Sequence, residues 1–238
     1  MSLYSVGVLA IDGALGAVTQ RVHFGLENIP SEGPLVIVCN HLSMADPLVL
    51  AAALRRGGRR GTFLVMAEAF RWPVVGTLLR WTGQIPVTRE KNAAAALAPA
   101  FEALKQGRAV ALYPEGRITR EADYRPEREV HTGAVRLALG ADCPIVPTAQ
   151  WGAHHLLTRE GSSSLTRPPR LLGWVRQGRV PRRPITYFVA GRPIQARELR
   201  RAAGDAGDLD AATELVMDRI RVMLAGVAGQ QLPGLLDD

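Results

Sequence analysis

The sequence predicts an α/β fold in which a mixed, largely parallel central sheet is flanked by helices. Two observations predict this class. Short runs of Val, Ile and Leu alternate along the chain with longer segments of helical periodicity, and polar residues directly follow several of the apolar runs. The length of 238 residues suits one sizeable domain and is short for two. We therefore expect one domain, with ligands bound outside the carboxyl ends of its strands.

The amino-terminal segment predicts a helix. Between residues 3 and 22, apolar side chains such as Val8 and Leu15 recur at alternating steps of four and three, which is typical of an amphipathic helix. Three glycines weaken the pattern. We assign residues 1–24 to this helix and residues 25–238 to the domain. The apolar stripe could contact a lipid surface, or it could dock on the core of the domain itself.

The remaining strands and helices follow in alternation. Pro99 is expected to interrupt its helix, and the prolines at 144 and 147 favour an edge strand or a bulge. Residues 159–184 hold seven arginines and one acidic residue, which predicts a basic loop that either touches phosphates and lipid headgroups or is a solvated insertion. The predicted strands are 35–39, 62–67, 84–88, 109–113, 145–149 and 185–190, and the predicted helices are 46–55, 73–81, 92–105, 132–139 and 209–224.

The most informative motif is residues 40–47, Asn-His-Leu-Ser-Met-Ala-Asp-Pro, directly after the strand at 35–39. Asp46 before Pro47 predicts a helix start with Asp46 as the N-cap. A neutral imidazole can take a proton from an attacking hydroxyl, and a carboxylate on its other nitrogen fixes the tautomer. The motif predicts a His41–Asp46 dyad. In the alternative interpretation, Asp46 only caps the helix and His41 is a structural side chain.

Two further segments carry charged side chains at predicted strand ends. Residues 83–89 predict a short strand that ends on an arginine, and residues 109–120 predict a strand that runs into Pro-Glu-Gly and two arginines. Glycine lets the backbone approach a ligand closely, and the planar guanidinium matches phosphate oxygens. A charged turn in which the glutamate pairs with an arginine is the alternative. The charged and glycine residues of these two segments include Arg89, Glu115, Gly116, Arg117 and Arg120.

Four blocks of this sequence, in order, resemble the motifs of the glycerolipid acyltransferases and are similar to the 1-acyl-glycerol-3-phosphate acyltransferases, which make phosphatidic acid. The resemblance covers about residues 22–152, and its first and third blocks are the most specific. The third block departs from the common Glu-Gly-Thr-Arg, so that either Arg117 or Arg120 could match the family's arginine. Pro86 stands where the second block usually has a bulky residue. The blocks are Asn40-His41 to Asp46-Pro47, Gly83 to Arg89, Pro114-Glu115-Gly116 and Val146-Pro147.

The resemblance implies an activity and a role for each matching residue. It implies transfer of a fatty acyl group from acyl-CoA or acyl carrier protein to the hydroxyl of 1-acyl-glycerol-3-phosphate, or of another lysolipid or glycolipid. His41 would be the general base, and Asp46 would orient it. The acyl thioester is a co-substrate, and neither a cofactor nor a metal is implied. The residues implied in binding the acceptor are Asn40, Arg89, Glu115, Gly116, Arg117 and Arg120.

Composition and charge set the expected partners and compartment. The net charge of +7 favours anionic partners. Together with the resemblance it leads us to expect a lysophospholipid, a thioester donor such as acyl carrier protein and a peripheral membrane surface, but no nucleic acid. The sequence has two cysteines, no signal-like amino terminus and no apolar run of spanning length, which predicts a cytoplasmic protein that is peripheral on the cytoplasmic face of the membrane. A non-catalytic basic module that binds anionic membrane or nucleic acid also fits the charge.

Other chemistries are compatible with single residues. A serine hydrolase would need Ser43 as the nucleophile, but the Gly-x-Ser-x-Gly elbow is absent from the sequence. Cys39 could form an acyl-thioester intermediate. A metal site could use His131, His154 and His155, although their spacing matches no common metal motif. The dyad remains the favoured interpretation.

A cluster of large apolar residues lies between the first and second blocks. These side chains could line a groove for an acyl chain. At helical spacing, aromatic and leucine residues are more often core, so we predict that they are buried. The residues are Phe70, Trp72, Leu78, Leu79 and Trp81.

Overall fold

A computed structural model of the chain describes residues 3–88, 93–121, 124–157 and 183–229. Its strands are β1 Gln20–Phe24, β2 Leu35–Cys39, β3 Gly61–Met66, β4 Ile85–Val87, β5 Ala109–Leu112, β6 Ile145–Trp151 and β7 Ile185–Ala190. Its α-helices are α1 Leu3–Val18, α2 Asp46–Arg56, α3 Val75–Trp81, α4 Ala93–Lys105, α5 Gly133–Gly140, α6 Ala196–Ala203 and α7 Leu209–Ala228.

The seven strands form one sheet in the order β1-β7-β6-β2-β5-β3-β4. Every neighbouring pair is parallel except β6 and β7, which are antiparallel. The predicted fold class, a mixed and largely parallel sheet flanked by helices, is therefore confirmed. None of the helices in the described ranges is long and apolar enough to cross a bilayer.

The central strand β2 separates two hydrophobic cores. Val36 and Val38 pack in the larger core, with α4, α5, α6 and α7, whereas Leu35 and Ile37 face α1 and α2. Alternate side chains of a strand point to opposite faces, so helices on both faces bury every residue of β2. This explains why the sequence of β2 is continuously apolar instead of alternating.

The amino-terminal prediction is wrong beyond residue 18. The helix ends at Val18, and residues 20–24 form the edge strand β1, which pairs with β7 more than 160 positions away. Local periodicity cannot report such a distant partner. The inner face of α1 docks on the domain through Val8 and Leu15. Its buried Asp12 is paired with three arginines from β1 and α2, Arg21, Arg55 and Arg56.

The expected interruption of a helix at Pro99 and the edge-strand interpretation of Pro147 are also wrong. Helix α4 continues through Pro99, because residues such as Ala100 and Leu104 are fully buried and outweigh one missing backbone hydrogen bond. Strand β6, which carries Pro147, lies inside the sheet and not at its edge. The Pro147 carbonyl accepts a hydrogen bond of 2.9 Å from the N–H of Gly191, just past the end of β7. The proline therefore sits where the antiparallel pairing stops.

The segment between β3 and β4 is not core, contrary to the prediction. A 3-10 helix at Ala67–Arg71 precedes α3, so the predicted helix start at residue 73 is two residues early. Trp72, Leu78 and Trp81 are 38%, 45% and 67% exposed. Helix α6 was not anticipated, whereas the other strands and helices lie within a few residues of their predicted bounds. The predicted basic loop lies outside the described residues, apart from its last two positions.

Candidate active site

The sheet order brings three chain segments to one edge. Strands β5, β2 and β6 are adjacent and parallel, so the residues that follow their carboxyl ends lie side by side. These segments are the β2–α2 turn, the β5–α5 loop and the short 3-10 helix Ala153–His155 after β6. The structure therefore gathers the first and third sequence blocks at the position where open α/β sheets bind ligands, whereas the fourth block, Val146-Pro147, lies within β6 beside β2.

The β2–α2 turn forms the predicted dyad. His41 Nδ1 lies 3.0 Å from Asp46 Oδ2. The same carboxylate oxygen accepts hydrogen bonds from the backbone N–H groups of Leu42 and Ser43, at 2.5 and 2.7 Å. Asp46 is fully buried, and its side chain turns back into the turn instead of capping α2, whose N-cap is Ala45. The N-cap interpretation of Asp46 is thus wrong, and the carboxylate is held in place to face the imidazole.

The imidazole is also held from one face. The ring of Tyr113 stacks on it with a centroid separation of 4.2 Å and an interplanar angle of 21°. Burial raises the pKa of Tyr113 well above its ordinary value, so its phenol stays neutral. With Nδ1 facing Asp46, Nε2 is the nitrogen left for a substrate, and the His41 side chain is 17% exposed.

The backbone of His41 is bound on both sides by the β5–α5 loop. Its N–H donates to Glu115 Oε1 at 2.7 Å, and its carbonyl accepts from the N–H of Thr119 at 2.8 Å. Both contacts join the first sequence block to the third. The third block therefore supports the position of the histidine, a role that sequence reasoning missed.

Glu115 lies beneath this contact. Its second oxygen, Oε2, accepts from the N–H of Glu127 at 3.0 Å, and the side chain is buried. Burial raises the pKa of Glu115 to about 7, against the opposing effect of the N–H groups of Glu127 and His41. Both oxygens accept from backbone donors, one of them the N–H of His41, which favours a role in positioning that residue. The expected contact between Glu115 and an acceptor headgroup stays a prediction.

Asn40 is a support as well. It is fully buried, its Nδ2 donates to the carbonyl of Gln150 at 3.0 Å, and its Oδ1 accepts from the N–H of the same residue at 2.8 Å. This pair of bonds ties the end of β2 to β6. The buried amide thus has both of its polar atoms bonded to the backbone, which favours a structural role, and the expected contact between Asn40 and substrate stays a prediction.

The two arginines of the third block differ in their partners. Arg117 Nη2 forms an ion pair of 2.9 Å with Glu127, which lies in a segment without any recognisable sequence signal. The hydrogen bond from Arg117 holds the pKa of Glu127 below its ordinary value. Arg120 uses its backbone N–H to bond Glu127, and within the described residues its exposed guanidinium has no hydrogen-bond partner. Arg89 lies outside the described residues.

Gly116 occupies the tight turn between these groups. Its φ of +63° is in the left-handed region that favours glycine. A Cβ at this position would lie 3.0 Å from the His131 ring. The close backbone approach that the sequence suggested is therefore an approach to His131, and it keeps the loop compact beside His41.

The rival nucleophiles are poorly placed. Cys39 is fully buried, and burial raises the pKa of its thiol to about 12, which leaves almost no thiolate at neutral pH. Ser43 is also fully buried, and its hydroxyl donates to the carbonyl of Leu157 at 2.7 Å. The described part of the chain brings no three His, Cys, Asp or Glu side chains together as metal ligands. By comparison, His41 is partly exposed, and its Nε2 is not engaged by Asp46.

The family model described as Acyltransferase matches residues 21–151, more than half of the chain. The chain belongs to the acyltransferase family. The match spans all four sequence blocks and therefore includes the dyad, the β5–α5 loop and the Asn40–Gln150 pair that this family member brings together at one edge of its sheet.

Several curated proteins are similar to this acyltransferase-family chain. The 1-acyl-sn-glycerol-3-phosphate acyltransferase of Borreliella burgdorferi is 28% identical over 139 residues, which are 57% of this chain and 52% of that protein. A protein of the same name from Bacillus subtilis is 26% identical over 129 residues, or 54% of this chain and 61% of the relative. The chain thus matches between about half and three fifths of the length of these relatives.

A solved structure has the same fold. The crystal structure of the 1-acyl-sn-glycerophosphate (LPA) acyltransferase from Thermotoga maritima superimposes with a TM-score of 0.62. The superposition covers 96% of this acyltransferase-family chain and 81% of the other, at 20% sequence identity. At this identity the likeness establishes the fold, and the site must be argued from the residues themselves.

Proposed function

We propose that this chain transfers a fatty acyl group from a thioester donor, acyl-CoA or acyl carrier protein, to the hydroxyl of 1-acyl-glycerol-3-phosphate, which gives phosphatidic acid. One observation carries the proposal, namely the 3.0 Å contact between His41 Nδ1 and the buried Asp46 carboxylate. Asp46 fixes the proton on Nδ1, so that Nε2 has the lone pair of a general base. The names of the Borreliella and Bacillus relatives support the choice of acceptor.

The proposed reaction is a direct acyl transfer. The acceptor hydroxyl gives its proton to His41 Nε2 while its oxygen attacks the thioester carbonyl, and a C–O bond forms. The tetrahedral intermediate then collapses, the C–S bond breaks, and the leaving thiolate recovers the proton from the imidazolium. Asp46 stabilises the imidazolium between these steps because it is held as an acceptor by two backbone N–H groups. Neither Cys39 nor Ser43 is needed as a covalent carrier.

We further propose that Arg120 binds the phosphate of the acceptor. Its guanidinium is exposed and makes no hydrogen bond or ion pair with the described residues, although its charge also acts on Glu127, whereas the Arg117 guanidinium contacts that carboxylate directly. An exposed guanidinium is suited to phosphate oxygens, since its planar N–H groups can bond two of them together. Arg120 follows Thr119, whose N–H bonds the carbonyl of His41, so a phosphate at Arg120 is close to the base. The acceptor would reach this site from the cytoplasmic face of a membrane.

The test is product formation by the purified protein. Wild type would receive palmitoyl-CoA or palmitoyl-acyl carrier protein and, in separate reactions, several lysolipids, with mass-spectrometric detection of the acylated product. We expect phosphatidic acid from 1-acyl-glycerol-3-phosphate, and a loss of at least about a thousandfold in kcat for His41→Ala. His155→Ala is the matched control, because that histidine is exposed at the same edge of the sheet and belongs to no dyad.

Each result of this test bears on a separate part of the proposal. Equal rates for wild type and His41→Ala would eliminate the mechanism. If only a different lysolipid is acylated, the proposed role of the dyad stands and the proposed acceptor is wrong. Absence of product with either donor, in protein that is folded by circular dichroism, would favour a binding module over an enzyme.

A further inference from the structure

Exposed apolar side chains are concentrated in one segment. In the described parts of the chain, twelve large hydrophobic residues are exposed, and half of them lie between residues 66 and 81. Scattered single exposures are normal in soluble domains, but a contiguous group usually marks an interaction surface. We call this group the 66–81 surface. Its members are Met66, Trp72, Val74, Val75, Leu78 and Trp81.

Helix α3 turns its apolar stripe away from the domain. Val74 immediately precedes the helix, and Leu78 and Trp81, three residues apart, share one of its faces. These three residues are 80%, 45% and 67% exposed. In an ordinary surface helix this stripe would face the core. Here it faces solvent, and the surface therefore lacks a partner within the described residues.

The outward orientation is built into the segment. Gly76 packs so closely against the preceding 3-10 helix that a Cβ would collide with the carbonyl of Phe70. The same carbonyl accepts a hydrogen bond of 2.7 Å from Arg80, and the N–H of Gly76 donates to Trp72 at 2.8 Å. The stripe is thus held outward by specific packing and is not simply a detached helix.

The tip of the segment is strained. Val74 has φ +62° and ψ −61°, and the N–H of Val75 bonds the carbonyl of Pro73 at 2.6 Å, which is a γ-turn of the rare positive-φ type. A β-branched residue in this conformation is costly and persists only where surrounding contacts impose it. The strained residue is also the most exposed of the group, since Val74 is 80% exposed.

Charge and position indicate the kind of partner. Arg71 and Arg80 are exposed within the segment, and Glu68 is its one acidic residue. The net charge of the chain, +7, has the same sign. Met66 ends β3, which runs parallel to β5 and β2, so the surface begins at the edge of the sheet where His41 lies. Tryptophan beside arginine is typical of side chains at the headgroup level of a bilayer.

We propose that the 66–81 surface docks on an anionic lipid bilayer, with Trp72, Val74, Leu78 and Trp81 inserted among the headgroups and the two arginines on lipid phosphates. The choice of a lipid partner rests in part on the proposed lipid acceptor, since docking here brings the His41 edge of the sheet to the membrane. The exposure, the strain and the charge of the surface are independent of that function.

The first experiment measures binding without substrate. Full-length protein would be sedimented with vesicles of equal parts phosphatidylcholine and phosphatidylglycerol. We expect the double variant Leu78→Ser/Trp81→Ser to bind at least roughly tenfold more weakly, because two apolar side chains no longer leave water. Val222→Ser is the matched control, since Val222 is 59% exposed on α7, outside the surface. Equal binding by the double variant and wild type would overturn the proposal.

Val74→Gly separates binding from folding. Glycine adopts the positive φ without strain, so this variant should melt at the same temperature as wild type or higher, yet bind vesicles more weakly. If a stable Val74→Gly protein binds vesicles as tightly as wild type, Val74 does not contribute to the docking surface.

The second experiment locates the contact. Phospholipids brominated in the acyl chains should quench the tryptophan fluorescence of wild type on binding. In a Trp174→Phe background, the variant that also carries Trp72→Phe and Trp81→Phe should still bind and lose most of this quenching, because its remaining tryptophan, Trp151, ends β6 outside the surface. Undiminished quenching in that variant would place the contact elsewhere and overturn the proposal.

Other occupants and the proposed activity are tested separately. If the surface instead pairs two copies of the chain, wild type sediments as a dimer and Leu78→Ser/Trp81→Ser as a monomer, and the lipid proposal fails. If no lysolipid is acylated but vesicle binding still depends on the surface, this proposal stands and the proposed function falls. If acyl transfer is found but the double variant binds vesicles normally, the docking surface alone is wrong.

Discussion

The β2–α2 turn and the β5–α5 loop hold the same histidine in different ways. In the turn, His41 and Asp46 are five positions apart, and the backbone of the turn itself donates to the carboxylate. In the loop, Glu115 reaches the N–H of His41 across 74 positions. The chemistry of the pair is therefore local, whereas its position depends on the sheet that brings the loop beside the turn.

The largest loss of activity should follow from a substitution in the β2–α2 turn. We expect Asp46→Asn to lower kcat by roughly a hundred- to a thousandfold, because an amide can leave the imidazole in the wrong tautomer and places a donor near two backbone N–H groups. Steady-state acyl transfer would measure it. Asp142→Asn is the control, since that carboxylate forms only an exposed ion pair with Arg200. A loss below tenfold for Asp46→Asn would mean that the loop, and not the turn, fixes the base.

The contribution of Glu115 in the β5–α5 loop should appear as a pH dependence of the free energy of unfolding. The pKa of Glu115 is raised by burial to about 7, above the ordinary 4.5, so its contribution to stability is present at low pH and is lost as pH rises through about 7. Glu115→Gln removes this titration. The free energy of unfolding of wild type relative to the variant should therefore fall between pH 5 and pH 8, by about 3 kcal/mol at most.

Urea unfolding of both proteins at several pH values would measure this difference. The amide of the variant also loses one of the two backbone contacts, and kcat should fall about tenfold at every pH. A difference in unfolding free energy that stays constant with pH would show that Glu115 does not titrate in this range.

Substitutions of the two arginines in the loop should have different effects, one on acceptor binding and the other on stability. Arg120→Ala should raise the KM for the acceptor about tenfold and leave the KM for the donor and the melting temperature nearly unchanged. Arg117→Ala should instead lower the melting temperature, because it leaves Glu127 buried without its ion-pair partner. Equal effects of the two variants on acceptor KM would make both arginines part of the phosphate site. Arg136→Ala, on the exposed face of α5, serves as the control.

The smallest effect on activity should come from Cys39, which precedes the turn. Because its thiol is buried and its pKa is raised to about 12, Cys39→Ala should keep kcat within about twofold. Stability should fall by about 1 kcal/mol, since Gln150 loses its 3.1 Å contact with the sulfur. A well-folded Cys39→Ala protein without activity would support a covalent acyl-cysteine intermediate. The catalytic chemistry would then not be confined to the His41–Asp46 pair of the turn.

The sequence predicted much of the fold because most of its signals are short-range. The strand at 35–39 and the helix that follows it show in consecutive residues, and the His41–Asp46 spacing lies inside one turn. The edge strand β1 was missed because its partner is β7. The central position of β6 was missed because a proline such as Pro147 is typical of an edge strand. In the structure, its carbonyl accepts from the N–H of Gly191, a distant residue that the local pattern does not contain.

The sequence by itself determined the α/β class, the dyad and the segment that carries its support. Only the tertiary structure decided what the supporting residues do. Asn40 and Glu115 carry the same polar groups whether they bind substrate or backbone, and the structure shows both bonded to backbone, beside Gln150 and Glu127. The tertiary structure likewise decided that the stripe on α3 faces outward. The physical reason is that burial and hydrogen-bond partners depend on residues far apart in the chain, which local patterns do not contain.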